Sequence, residues 1–227
     1  MAAVSQGECR GFELLGSVLP ASECDRLLAS LARRSIKRSR AGARHLMNVP
    51  EISTLAHDAR LTGIARRWLG ETAVPYRATL FDKSATSNWL VVWHQDTALP
   101  LASRFEAPGW GPWSEKEGVL YAHAPANPLG RIIALRVHLD DSLAENGPLR
   151  VLSGSHERGV LNDDQIQNLA RSTGAVDCLA ERGGVLAMRP LLVHSSSKTS
   201  VASPRRVLHL EYTISMTLQP GIELAVA

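Results

Sequence analysis

The rhythm of apolar and polar positions changes once along this chain, near residue 74. Before that point apolar residues recur at helical spacing. Leu27, Leu28 and Leu31 follow Ser22, a residue type that caps helix starts, and Ile52, Leu55, Ile64 and Leu69 mark a helical stretch over 51–69 that Gly70 ends. After it, short apolar segments alternate with Gly, Pro, Asn and Asp, which predicts strands at 76–82, 89–95, 119–123, 131–139, 149–152, 185–189 and 205–214. Among these segments only DDQIQNLARS, 163–172, has helical spacing. Strands so spaced, without long helices between them, predict an antiparallel sandwich or jelly roll and not a parallel sheet. The helical first third is expected to pack on the outside of the sheets.

Composition narrows the class without changing this picture. A chain of 227 residues fits a single domain over 1–227, since domains average roughly 150 residues. A hydrophobic fraction of 44% and a charged fraction of 21% are those of a soluble globular protein. The net charge of +3 is too small to imply a polyanionic partner. The one basic run, RRSIKRSRAGAR at 33–44, lacks aromatic residues to stack bases and reads as a solvated loop or lid, so no nucleic-acid partner is expected. Cys9, Cys24 and Cys178 are far apart and form no CxxC pair, which argues against a disulfide framework or a thiolate zinc site and for a reducing, cytoplasmic setting. The opening MAAVSQGECRGFELLG does not read as a secretion signal, and no apolar run suggests a membrane partner.

The candidate chemistry begins at WHQDTAL, 93–99. In a regular strand residues two apart share a face, which puts Leu90, Val92, His94 and Asp96 on one side and Trp89, Val91, Trp93 and Gln95 on the other. An imidazole and a carboxylate converging on one point are half of a divalent metal site. With 8 His in the chain, an HxD alone arises often by chance, so context must carry the reading. That context is GGVLAMRPLLVHSSSKTS, where an apolar strand delivers His194 to a run of hydroxyl residues, followed further on by Arg205. His94, Asp96 and His194 would make a facial triad for non-haem Fe(II). An arginine fork at Arg205 would clamp a carboxylate of an iron-chelating dicarboxylate. Arg205 and adjacent Arg206 point to opposite faces. Arg206 shares its face with the core-like Leu208, Leu210 and Tyr212, which favours Arg205 for the clamp.

WHQD, then LRVHLDDSLAENGPLRVLSGSHERG, then VHSSSKTSVASPRRVLHLEY resemble in order and spacing the phytanoyl-CoA dioxygenase family of Fe(II)- and 2-oxoglutarate-dependent oxygenases, over roughly residues 75–215. The resemblance implies a double-stranded β-helix (jelly-roll, cupin-like) core over about 74–216, mainly β with flanking helices, the helical part running to about 73. It implies Fe(II) as cofactor, 2-oxoglutarate as cosubstrate and O2 as oxidant, with His94, Asp96 and His194 as the metal-binding, catalytic set. The 2-oxoglutarate residues it implies are Arg205, Ser196 two positions after the distal His, and Lys83 on the strand before the HxD. Arg136 stands where some relatives carry an aromatic residue, and is read either as a second carboxylate contact or as a substrate contact. The usual PGSH turn appears here as Ser153-Gly154-Ser155-His156, with His156 read as structural. Related halogenases replace the carboxylate ligand with a small residue, so Asp96 implies hydroxylation or a similar oxidation over halogenation; the resemblance implies a small-molecule substrate, with release of succinate and CO2.

Two further readings come from other classes: a cupin-like metal protein that is not an oxygenase, which has no use for a clamp at Arg205, and a nucleic-acid module built on 33–44. Substrate contacts are expected in the loop from Arg40 to Asn48, at Arg44 above all, and in the Gly-, Pro- and Trp-rich segment 100–118, at Trp110 and Trp113. That segment reads as an active-site flap. His123 and His138 are read as satisfied core or pocket residues, and the chain carries no signal for oligomeric state.

Overall fold

The computed structural model describes residues 6–39, 42–84 and 87–227. The helices are α1 (Gln6–Arg10), α2 (Ala21–Arg33), α3 (Pro50–Ala56), α4 (Ala59–Leu69), α5 (Ala126–Leu129) and α6 (Asp163–Ser172). The strands of the first half are β1 (Phe12–Leu15), β2 (Gly42–Ala43), β3 (Val74–Lys83), β4 (Val91–His94), β5 (Ala98–Leu101), β6 (Trp113–Lys116) and β7 (Val119–His123). Those of the second are β8 (Ile132–His138), β9 (Leu149–Val151), β10 (Val176–Cys178), β11 (Val185–Met188), β12 (His194–Ser196), β13 (Arg205–Thr213), β14 (Thr217–Gln219) and β15 (Ile222–Glu223).

Two antiparallel sheets form the jelly roll, one in the order β1-β11-β8-β13-β3-β2 and the other β10-β9-β12-β4. Side-chain alternation along β13 divides the larger sheet. Leu208, Leu210 and Tyr212 join Leu80, Val137 and the apolar stripes of α2, α3 and α4, including Leu27, Leu31, Ile52, Leu61 and Ile64, in one buried cluster outside the sheet. Arg205, Val207, His209 and Glu211 pair with Lys83, Phe81, Thr79 and Arg77 on the opposite, inward side. β8 is buried along its whole length, which is why IIALRVH carries apolar residues on both faces. The helices thus sit outside the sheets, as expected, and α6 covers the smaller sheet through Ile166 against Leu152 and Val193.

Several local expectations are corrected. Ser22 does not cap α2: the helix starts at Ala21, Pro20 occupies the N-cap without a side-chain bond, and Ser22 lies in the first turn. The stretch 51–69 is two helices, broken where Asp58 accepts a hydrogen bond from the Arg60 amide at 2.8 Å and starts α4. Gly70 does end α4, with φ of 90° that only glycine adopts without strain. The first third is not purely helical, since β1 and β2 extend the two edges of the larger sheet. The segment 100–118 runs from the end of β5 through a connection over 102–112 into β6, within a β5-β7-β6 sheet. Strand pairing also continues beyond 216, in β14 and β15.

Candidate metal centre

His94 reaches the interior through an irregularity. On β4 Val91 faces Ser196 and His94 faces His194, so two residues of β4 lie opposite one of β12. This bulge shifts the side-chain alternation by one position. Trp89 and Val91, expected on the face away from His94, therefore line the interior cavity together with His94, Asp96 and His194. Val92, expected beside His94, is 63% exposed, and Leu90 is exposed as well. Just after the bulge the Gln95 side chain fixes the chain, donating to the Gly159 and Leu191 carbonyls and accepting from the Leu161 amide. Asp96 follows, its own amide bonded to the Pro190 carbonyl at 2.9 Å.

One donor atom from each of His94, Asp96 and His194 lies within 4.8 Å of the others. The Nε2 atoms of His94 and His194 stand 3.6 Å from Asp96 Oδ1 and Oδ2 respectively. Each ring's Nδ1 sits 2.8 Å from the carbonyl two residues back, Val92 for His94 and Leu192 for His194. Donation from Nδ1–H to those carbonyls leaves both Nε2 lone pairs directed at the carboxylate, the tautomer and orientation a divalent metal requires. Burial pushes the His194 pKa down to about 3, against the opposing pull of Asp96, so that ring is neutral. Burial also works against the Asp96 anion, but the fields of His194 and His94 outweigh it and hold the carboxyl well below its usual range. His194 is buried while His94 and Asp96 are each about one-third exposed, at 36% and 35%, so the donor set is open on one side.

The cavity behind the donors, about 80 Å³, is walled by Phe81, Trp89, Leu149 and Arg136 and reaches Ser196. Ser196 Oγ accepts from Lys83 Nζ at 2.8 Å and from Arg205 at 3.1 Å, and donates to the Gly147 carbonyl at 2.9 Å. Lys83 also donates to the Ser197 carbonyl, and Arg205 Nε to that of Asn146. Arg136 bonds His209 Nδ1 at 3.2 Å and lies over the Phe81 ring. Lys83, Arg136 and Arg205 are all buried, none has an acidic partner among the described residues, and Arg205 Nη1 and Arg136 Nε have no hydrogen bond. Burial, then the fields of Arg205 and Arg136, lower the Lys83 pKa to about 8. Arg206, by contrast, faces away and forms a two-pronged pair with Asp140 at 2.7 Å.

Other residues singled out by sequence lie elsewhere. Trp110 and Trp113, expected to meet substrate, pack edge-on against Phe105, each with ring centroids 5.1 Å away. It is Gly109, Gly111 and Pro112, not the two rings, that line the cavity beside His94. Arg44 borders a different, larger cavity and approaches Glu117 at 3.9 Å. Arg40 lies outside the described residues. In the basic run Arg34 and Arg38 are paired with Glu51 and Asp82 of the same chain. His156 packs against Gly11, where a Cβ would come within 2.4 Å of its Nδ1. His123 is exposed and meets Thr97 Oγ1 at 2.6 Å. His138 is not satisfied as expected: it is buried with neither ring nitrogen bonded, and burial keeps it neutral with a pKa of about 3. Gln95, Asn146, Gly147 and Phe81 escaped the sequence reading as site residues. Only the Asn-Gly pair carried a signal, that of a tight turn. None of the described helices is long and apolar enough to cross a membrane.

Fold and site together define a class: a double-stranded β-helix that gathers two imidazoles and a carboxylate at one open point. The phytanoyl-CoA dioxygenase (PhyH) family profile matches residues 7–207, and the chain belongs to that family. It is 26% identical to L-proline trans-4-hydroxylase of Streptomyces griseoviridis over 178 residues, 67% of this chain and 59% of that one. It is also 26% identical to ectoine dioxygenase of Sphingopyxis alaskensis over 185 residues, 72% of this chain and 54% of that one. The chain thus spans little more than half the length of these curated relatives. Among solved structures, apo EctD from S. alaskensis superposes with a TM-score of 0.68 at 22% identity, covering 91% of this chain and 74% of that one. HygX from Streptomyces hygroscopicus, with nickel and 2-oxoglutarate bound, gives 0.66 at 16% identity, covering 93% and 87%. AviO1 from Streptomyces viridochromogenes gives 0.65 at 20%, covering 99% of this chain and all (100%) of that one.

Proposed function

We propose that this chain is an Fe(II)- and 2-oxoglutarate-dependent dioxygenase that hydroxylates a small organic substrate. The observation that carries the reading is the pairing of a preset donor set with three buried cations around Ser196 and Phe81, namely Lys83, Arg136 and Arg205, that form no ion pair among the described residues. His94, Asp96 and His194 would hold the metal through Nε2 and carboxylate oxygens. Their Nδ1 atoms are already committed to backbone carbonyls, so the rings need no reorientation. Arg205, Lys83 and Ser196 would take the far carboxylate of 2-oxoglutarate, and Arg136, nearer Asp96, the charge at its other end. A buried cation without a counter-ion is costly, and a dicarboxylate relieves that cost here. Bound together, iron and 2-oxoglutarate supply the oxidising power, consuming O2 and releasing succinate and CO2.

The remaining work belongs to the chain. Phe81, Val91 and Leu149 present apolar walls that keep water from the cavity. Gln95 fixes the end of β4, and with it the spacing between His94 and Asp96. The exposed side of the donor set is where substrate would approach. That relatives act on proline and on ectoine supports a small organic substrate. A metal-binding jelly roll without this activity would leave Lys83, Arg136 and Arg205 buried for no purpose. In an assay of succinate release with Fe(II), O2 and 2-oxoglutarate, Asp96→Ala is expected to lose turnover completely. Full turnover by that variant contradicts the assignment.

A further inference from the structure

Resting on the oxygenase reading, we propose that the mouth of the barrel holds a subsite for the acid group of an organic anion, formed by Lys116 and Arg44 beside the Tyr121–His45 pair. β6 and β7 form a hairpin in which Lys116 pairs with Val119 and Ser114 with Tyr121. Lys116, Val119 and Tyr121 therefore share one face. That face borders a cavity of about 810 Å³ that Val119, Arg44, His45 and Glu117 line. Tyr121 is fully buried, and its hydroxyl meets His45 Nε2 at 3.0 Å, tying the hairpin to the loop that carries Arg44.

Two cations approach the Tyr121 ring, Arg77 at 5.2 Å and Lys116 at 4.8 Å from its centroid. Arg77 is balanced, at 3.3 Å from Glu211. Lys116 has no hydrogen-bond or ion-pair partner among the described residues, and Arg44 has only the 3.9 Å approach to Glu117. The acid whose field reaches Lys116 is Asp96. His45, next to Arg44, adopts a left-handed φ of 57° that the surrounding structure holds. The positive φ of Glu117, 54°, belongs with that of Gly118 to the two-residue turn between β6 and β7, which requires it at both positions. Around the cavity Lys37 joins Arg44 opposite Glu117, Arg34 being paired with Glu51, and Met47, Val119 and Val226 offer apolar wall for the body of the ligand. The substrate class that fits is an organic acid with an apolar body.

The test is isothermal titration of the anaerobic protein, loaded with Fe(II) and 2-oxoglutarate, with hexanoate and with its neutral counterpart hexanamide. Hexanoate is expected to bind about tenfold more tightly than hexanamide, the scale of one charge-assisted hydrogen bond. Lys116→Met and Arg44→Met are expected to reduce hexanoate to the level of the amide, and Lys116→Arg to restore the preference. Equal binding of the two probes, no binding of hexanoate, or an acid preference that survives Lys116→Met but disappears in Arg205→Met overturns the proposal; the last outcome would place the anion in the cosubstrate cavity. Failure of the wild-type protein to bind iron and 2-oxoglutarate would count against the oxygenase reading instead. The same acid–amide comparison on the metal-free protein then judges this subsite by itself.

Discussion

The cation set around Ser196 is where single residues decide most. Lys83, held near a pKa of about 8 by burial and by Arg205 and Arg136, is the group there that titrates within working pH. Its charged form, present below that value, is the one that attracts a carboxylate. Affinity for 2-oxoglutarate is therefore expected to fall as pH rises through about 8, and Lys83→Met to flatten that dependence in titrations on either side of it. The unliganded fold responds in the opposite sense. Between about 8 and the ordinary value of 10.5 the unfolded lysine still holds a proton that the folded one has lost, so stability rises with pH across that window. His94, Asp96, His194, Ser196, Lys83 and Arg205 were legible in the sequence because ordered motifs mark them. Phe81 was not, since an aromatic residue in an apolar strand reads as ordinary packing. Face assignment around His94 failed for a physical reason: alternation assumes an unbroken ladder, and the bulge opposite Ser195 breaks it.

At the scale of elements, long strands such as β3, β8 and β13 and the capped helix α6 were legible because their own residues satisfy the pattern. β10 and β12, Val-Asp-Cys and His-Ser-Ser, are too short and polar to show a period. Their place comes from β9, which lies between them. The turn before β9 ties this sheet to the cavity at Ser196. Gly147 has φ of 69°, and a Cβ there would lie 2.4 Å from the Ser197 carbonyl oxygen, next to the Ser196 hydroxyl that its own carbonyl accepts. Gly147→Ala is expected to destabilise the protein by about 1–3 kcal/mol in urea unfolding. It should also weaken 2-oxoglutarate binding, because relief of the clash moves Ser196 and Ser197. An unchanged midpoint with unchanged affinity would show that this turn does not position the cavity.

For the whole molecule, the division of labour runs through the larger sheet: one face packs on helices and the other carries the polar interior. The outer cluster should therefore set stability with little effect on the site. Leu61, fully buried in α4, is expected to cost about 2–5 kcal/mol when changed to Ala. At temperatures where Leu61→Ala remains folded, its affinity for 2-oxoglutarate should match that of the wild type. The jelly roll was legible from the spacing of strands and the scarcity of helices after residue 74, whereas the edge strands β1 and β2 were hidden in a segment dominated by helical spacing. The central claim is that the metal donors and the Arg205 cavity serve one cosubstrate. Its most direct test is an anaerobic titration of the protein with Fe(II) and 2-oxoglutarate, followed by the weak visible charge-transfer band of the iron chelate, in wild type and in Arg205→Ala. A band in the wild type that weakens by at least about tenfold in 2-oxoglutarate affinity in the variant is the predicted result. Iron binding without any band, or a band indifferent to Arg205, would contradict the account.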